Sequence, residues 1–339
     1  MAVQALVVHG AGDLRLEERP LEPSTGPVVV RVAYGGICGS DLHYVAEGRV
    51  GAFALREPLV LGHEVVGTVE ADPTGSAAPG TPVAIHPATA DGTCAACRSG
   101  APNVCVAGRY LGSAATLPHT QGGFAERIAV RADQLRPLPD GLPLVRAVLA
   151  EPLAVALHAI TRAGGVAGRR VLVTGAGPIG LLAARAAVAL GAASVTVTDL
   201  LERPLAAARA LGATHAVRLP GEAVEPESAD VVLEASGAPA AVSAAVFAAA
   251  RHGVVVQIGM VPGEARPVAL APLIAKEVAL LGSFRFDREL DDAIALLARD
   301  GGFHGVVSHV LPLGEAAAAF ALAADPAASS KVVLELAGG

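Results

Sequence analysis

Residue types able to hold a metal or move a proton collect in a few places along the chain. Gly36-Ile37-Cys38-Gly39-Ser40-Asp41-Leu42-His43-Tyr44 sets a thiol, a hydroxyl and an imidazole close together, Gly62-His63-Glu64 adds an imidazole and a carboxylate, and Glu151 adds a further carboxylate. Cys38 and His63 are ligand types that zinc prefers. A catalytic zinc takes three protein ligands and keeps one position open, where it acidifies a bound alcohol or water. Ser40 and His43 stand two and five residues beyond the cysteine, spaced to pass a proton outward. Taken singly each feature has a plainer reading, since a lone Cys is usually a small core hydrophobe and His-Glu pairs are common.

A second motif strengthens the metal reading. From Val171 a short β-branched and leucine run leads into Gly175-Ala176-Gly177-Pro178-Ile179-Gly180, then an alanine-rich helical segment to about Leu190, a strand over Val195–Thr198 and Asp199 at its end. Strand, glycine turn, helix, strand and acid make one βαβ unit. Its glycines allow a tight turn, approach of a pyrophosphate to the backbone, and close helix–strand packing. The helix N-terminus holds the phosphates. Asp199 lies 19 residues past Gly180, where a carboxylate binds the ribose 2′-hydroxyl. This is a dinucleotide motif, and it favours NAD over NADP, although Arg203 nearby is able to meet a phosphate.

The elements that position these groups follow from the rest of the chain. A length of 339 residues suggests two domains, and 53% hydrophobic residues are ample for their cores. Aromatics make up only 3% and Trp is absent, so those cores are built from Ala, Val and Leu. The net charge of −7 is spread without a basic tract, which argues against a nucleic-acid partner. No export signal and no membrane span are expected. The nearest apolar stretch, Val171–Leu190, carries Arg185, three glycines and a proline. The expected location is the cytoplasm, where Cys38, Cys94, Cys97 and Cys105 point to metal rather than disulfides.

Before residue 150, short β-rich runs (Ala5–Val8, Val28–Ala33, Val65–Glu70, Pro82–Ile85, Phe124–Val130) alternate with Gly, Pro, Asp and Ser clusters, predicting a mainly antiparallel β domain. A helical segment follows Pro137–Pro143 and runs through Glu151 to Ala163. From Val171 the rhythm becomes strand–helix, with further strands at Ala229–Glu234, Val254–Ile258 and Ala279–Leu281 and helices near Arg203–Leu211 and Pro239–Arg251: a doubly wound parallel sheet. The tail (helix Arg288–Ala298, strands Val306–Leu311 and Lys331–Leu336) is too short for a core of its own and is expected to return to the first domain.

GGICGSDLHY, LGHEVVGTV, EPLAVALHA, GAGPIG and GSFRF, in this order, resemble the zinc-dependent medium-chain dehydrogenases, and within them the polyol and sugar-acid branch. The resemblance covers about residues 3–336. It implies an α/β chain: a GroES-like, mainly β catalytic domain from residues 1–152 and 287–339, and a Rossmann domain from 153–286. It implies a catalytic zinc on Cys38, His63 and Glu64, with Glu151 close by as a further ligand or as a hydrogen-bond partner of the zinc water. It also implies a structural zinc lobe that reads C-x2-C-x2-C-x7-C in the family. Here Cys94, Cys97 and Cys105 keep three positions and Asp91 replaces the first.

The cofactor site is expected to include Arg203, Ser236, Ile258 and Ser283 beside the glycine turn and Asp199. In the implied reaction zinc lowers the pKa of a secondary alcohol, hydride passes to the nicotinamide, and Ser40 and His43 carry the proton away. Arg285 and Tyr44 are the expected substrate contacts. The expected substrate is L-idonate, oxidised at C5, with sorbitol or xylitol, threonine and a butanediol as alternatives, in a homodimer or homotetramer.

Overall fold

The computed structural model describes residues 2–21 and 26–336. Six parallel strands form one sheet, in the order 215–218, 194–199, 170–174, 229–234, 249–257 and 279–282. Numbered along the chain this is 3-2-1-4-5-6, with the order reversing between strands 170–174 and 229–234; ligands of such sheets bind at that reversal. The sheet is Rossmann-type and doubly wound. Its central strands are valine-rich and buried on both faces, as parallel strands covered by helices must be.

The helices across this sheet show how an aromatic-poor chain packs. Helix Pro178–Ala189 buries Ala183, Ala184, Ala186 and Ala187, and helix Ala150–Arg162 buries Ala154, Ala156 and Ala159, all in one core. Methyl side chains let the backbones approach closely, so dispersion contacts replace the bulk of larger residues. Helix Glu289–Arg299 joins the same core through Leu290, Ala293, Leu296 and Leu297. Together helix Ala150–Arg162 and the turn before it span Leu144–Arg162, long and apolar enough to cross a membrane but mostly buried inside the protein.

The other large sheet is the mainly β, GroES-like half. It runs 135–137, 82–85, 64–71, 28–36, 331–335 and 307–312, and Arg127–Val130 also pairs with Val28–Gly36. The strand Lys331–Glu335 pairs antiparallel with Val28–Gly36, Val333 opposite Gly36, so the end of the chain lies beside its beginning.

Some elements depart from the sequence reading. The helix from Pro239 ends at Ala248, and Ala249–Arg251 already belong to the strand Ala249–Gln257. Alanine suits either state; the stop comes from the buried ammonium of Lys276, which donates to the carbonyls of Val246, Phe247 and Ala249 and satisfies orphan acceptors at the helix end. Strand Asp13–Pro20, too charged to read as a strand, pairs as an edge with Ala2–Gly10.

Candidate active site

Strand register assembles the first cluster. Gly36 lies opposite Glu64, so Cys38, just beyond one strand, meets His63, just before the other. The ligand atoms of Cys38, His63 and Glu64 all lie within 4.8 Å of one another. Gly36 is glycine because a Cβ there would lie 2.1 Å from Oε2 of Glu64.

Two buried charges hold this arrangement from behind. Asp41, 0% exposed, accepts the N–H groups of Cys38 at 2.9 Å and Gly62 at 3.3 Å, tying both ligand-bearing loops to one carboxylate. Its Oδ1 stands 4.0 Å from Nδ1 of His63. Lys331 donates to both Glu64 oxygens at 2.7 Å and to the carbonyl of Ile37 at 2.9 Å. Burial pushes the Glu64 carboxyl up, and Lys331 pulls it back. At His63 burial disfavours the imidazolium, but Cys38, Asp41 and Glu151 outweigh it and hold the pKa at about 10. Cys38, Asp41 and Glu151 are thus the acidic neighbours of His63, and Lys331 is the basic neighbour of Glu64. A thiol, an imidazole and a carboxylate with ligand atoms this close fit a zinc ion, which binds the thiol deprotonated.

Glu151, in the first turn of helix Ala150–Arg162, stays outside the three-residue cluster, and its Oε1 accepts the Tyr110 hydroxyl. Tyr110 stands beside His63 with ring centroids 5.6 Å apart. The Arg285 guanidinium lies 3.9 Å from the Tyr110 centroid and 4.7 Å from that of Phe284. Burial lowers its pKa, opposed by Tyr110 and Glu151, yet it forms no ion pair among the described residues. Its backbone is left-handed, φ 53°, a strained geometry for a residue with a side chain.

Helix Gly39–Glu47 separates the remaining expected residues by face. Ser40 is partly buried, while His43 is exposed with Nδ1 3.0 Å from Oε1 of Glu47. Asp41 and Tyr44, three apart, turn inward. Tyr44 is 2% exposed and its hydroxyl accepts the N–H of Ala114 at 2.9 Å. Tyr44, expected at the substrate, is thus held on the inward face of the helix against the loop at Ala114, within electrostatic reach of Arg285.

At the reversal of the parallel sheet the three glycines differ as their roles require. Gly175 has φ 89°, and a Cβ there would approach Ser236 to 3.0 Å. A Cβ on Gly180 would lie 1.8 Å from the Gly175 carbonyl oxygen, while one on Gly177 would meet nothing within 4 Å. The backbone at Gly177 is open to a phosphate, and Pro178 and Ile179 start a helix whose Gly177 cap leaves its first N–H groups without a side-chain partner. This cradle fits a dinucleotide.

Asp199 accepts N–H groups from Ala176 at 2.8 Å and Leu201 at 2.9 Å. Arg203 instead reaches Ser330, with Nη1 3.2 Å from its Oγ. Glu234, 0% exposed, accepts from Thr174 Oγ1, the hydroxyl and N–H of Ser236, Gly237 N–H and Gln257 Nε2, and its carbonyl accepts the Ile258 N–H at 2.8 Å. Ser283 Oγ is buried with no hydrogen-bond partner among the described residues, which suits a ligand atom.

The second cluster is local. Sγ of Cys94 lies 3.5 Å from that of Cys97 and 3.8 Å from that of Cys105, and the ligand atoms of these three and Asp91 fall within 4.8 Å of one another. Zn–S bonds of about 2.3 Å in a tetrahedron put sulfurs about 3.8 Å apart, so the lobe fits zinc. Asp91 Oδ1 accepts from Thr93 N–H at 2.8 Å and Cys94 N–H at 3.0 Å, bonds that hold its carboxyl well below the usual range.

A parallel nucleotide sheet, a GroES-like sheet and a thiol–imidazole–carboxylate cluster define a zinc-binding, NAD(P)-dependent dehydrogenase. The chain belongs to the zinc-binding medium-chain dehydrogenases of the polyol and sugar-acid group. Residues 24–140 match the alcohol dehydrogenase GroES-like domain, and residues 178–299 the zinc-binding dehydrogenase family. It is 38% identical to L-idonate 5-dehydrogenase (NAD(P)(+)) of Escherichia coli K12 across 87% of either chain, and 36% identical to sorbitol dehydrogenase of Gallus gallus across 93% of this chain and 92% of that one. The crystal structure of the E. coli L-idonate 5-dehydrogenase superposes with a TM-score of 0.94 at 35% identity over 99% of both chains.

Asp41, Tyr110, Lys331 and Glu234 join the site without being singled out by the sequence. Asp41 has a signal there, being an acid one turn beyond Cys38; Lys331, 267 residues from Glu64, has none.

Proposed function

We propose that the protein oxidises a secondary alcohol of a sugar acid, L-idonate at C5 to 5-keto-D-gluconate, with NAD(P). The observation that carries the sugar-acid reading is Arg285: a cation beside the zinc cluster, stacked on Tyr110, with no ion pair among the described residues and a strained backbone to hold it there. A substrate carboxylate would complete it as a charge-assisted, bidentate pair. A polyol is the second reading, favoured by the sorbitol dehydrogenase relative.

Cys38, His63 and Glu64 would hold the zinc, with Glu151 near it. A zinc ion held there would supply Lewis acidity towards a substrate hydroxyl, and a bound nicotinamide would supply the hydride acceptor. Ser40 takes the hydroxyl proton. No direct hydrogen bond joins Ser40 to His43, so a bridging hydroxyl or water carries the proton to His43, which releases it at the surface with Glu47 as partner. Asp91, Cys94, Cys97 and Cys105 would hold a second, structural zinc. Gly175, Gly177, Pro178, Ile179, Gly180, Asp199, Ser236, Ile258 and Ser283 would line the dinucleotide.

The catalytic unit would comprise residues 1–152 and 287–339 and the nucleotide unit 153–286. Free thiols in a metal lobe suit the cytoplasm. The unpaired edge of strand Ala279–Gly282, with Leu280 and Phe284 exposed, supports a homo-oligomer. A screen of NAD reduction over aldonates, polyols and simple alcohols tests the substrate. Turnover of sorbitol with none of any aldonate would overturn the sugar-acid reading.

A further inference from the structure

We propose that Arg218 is the residue that admits the 2′-phosphate of NADP, so that the nucleotide site takes both NAD and NADP; this rests on the dinucleotide reading above. Arg218 ends strand His215–Arg218 and stands directly opposite Asp199 in the parallel register. Neighbouring strands lie about 4.8 Å apart, so the two side chains leave the sheet at one edge beside each other. The Arg218 Nε approaches the carbonyl of Leu200 at 3.4 Å, which draws the guanidinium over the residue that follows Asp199. Arg218 is exposed and forms no ion pair among the described residues.

The other charges at this corner are occupied. Arg203, nearer in sequence and the expected phosphate partner, is turned to Ser330. Glu202 pairs with Arg209 along its own helix, so its charge does not face the ribose. Both Asp199 oxygens accept backbone N–H groups, from Ala176 and Leu201, and keep lone pairs for a ribose hydroxyl. Leu200, 65% exposed, leaves the space beyond Asp199 open. Asp199 thus reads a free diol, and the Arg218 fork, suited to bidentate phosphate contact, offsets its repulsion of a 2′-phosphate. The arrangement favours dual use over NADP alone.

The test is direct titration of the purified, zinc-replete protein with NADH and NADPH, read by nicotinamide fluorescence and needing no substrate. The wild type is expected to bind both, NADPH within about tenfold of NADH. Arg218→Ala should weaken NADPH by about tenfold or more, the scale of one lost charge-assisted contact, and leave NADH within about twofold. Arg218→Lys should recover part of the loss, and Arg203→Ala should change both nucleotides alike. Equal weakening of both nucleotides in Arg218→Ala, or a selective NADPH loss in Arg203→Ala instead, would overturn the assignment. So would a wild type that binds NADH but not NADPH, although the dehydrogenase reading would stand; binding of neither would remove both.

Discussion

The two metal clusters are built in opposite ways. Asp91, Cys94, Cys97 and Cys105 come from one 15-residue loop, partly exposed, whose short helix Ala95–Arg98 begins on a ligand. Cys38, His63 and Glu64 come from two strands and are fixed by Asp41 and by Lys331 from the far end of the chain. The lobe needs only local turns to form. The other cluster exists only when the whole β half has folded, and its ligands sit among charges that no solvent screens. Chemistry belongs at the second kind of site, where buried charged groups and a fixed geometry act on a bound ion and substrate.

If that contrast holds, the largest effect comes from the buried ligands. Cys38→Ser or His63→Ala should lower kcat by about a thousandfold or more, the scale of losing a metal's transition-state stabilisation, while leaving the lobe intact. Steady-state NAD reduction reads it, and near-normal turnover would break the comparison. Next is the support from behind: Lys331→Met strands the Glu64 carboxylate and should destabilise the fold by about 3–5 kcal/mol in urea unfolding.

Arg285→Ala should reduce kcat/KM for an aldonate by about ten- to a hundredfold, through KM, with a smaller loss for a neutral polyol. Equal losses for both would mean that Arg285 does not read a carboxylate. The smallest effect concerns how the lobe is tied to the core. Asn103, in the lobe loop, reaches the Phe284 carbonyl and stands 3.4 Å from His158, which pairs with Glu289 at 3.0 Å. Burial raises the Glu289 carboxyl, but His158 and backbone donors outweigh it and bring it from 4.5 down to about 2. A depressed carboxylate stabilises the fold above its unfolded pKa, and that stability is lost as pH falls from about 4.5 through 2. Glu289→Gln should therefore lower Tm modestly at pH 7 and flatten the acid limb of a Tm-against-pH curve, so that variant and wild type converge as pH falls from about 4.5 towards 2.

The same contrast explains which features are legible in the sequence. The glycine turn and the clustering of Cys94, Cys97 and Cys105 are local, and spacing carries them, while Asp91 as the fourth position comes from the resemblance; the three turn glycines meet three different environments as their motif requires. Cys38 and His63 are legible as zinc-type ligands beside carboxylates and a dinucleotide motif, but the set Cys38, His63 and Glu64 comes only through resemblance, because nothing in a strand's composition announces its register. Asp41 and Lys331 act through contacts made by folding. The inward turn of Tyr44 is hidden for a related reason: it follows from the packing of helix Gly39–Glu47, three residues on from Asp41, and not from the residue's type. The Ala248–Ala249 boundary is hidden because alanine fits both states and its cap, Lys276, arrives from 27 residues beyond Ala249.

The most direct measurement is zinc per chain in protein purified without chelator, in the wild type, His63→Ala and Asp91→Ala. Two clusters of opposite build predict about two zinc ions in the wild type and about one in either variant. Only His63→Ala should lose turnover outright, and the lobe zinc, held in part by a carboxylate, should leave first when a chelator is added. A wild type whose zinc content is unchanged by His63→Ala would contradict the assignment of Cys38, His63 and Glu64 as the catalytic metal site.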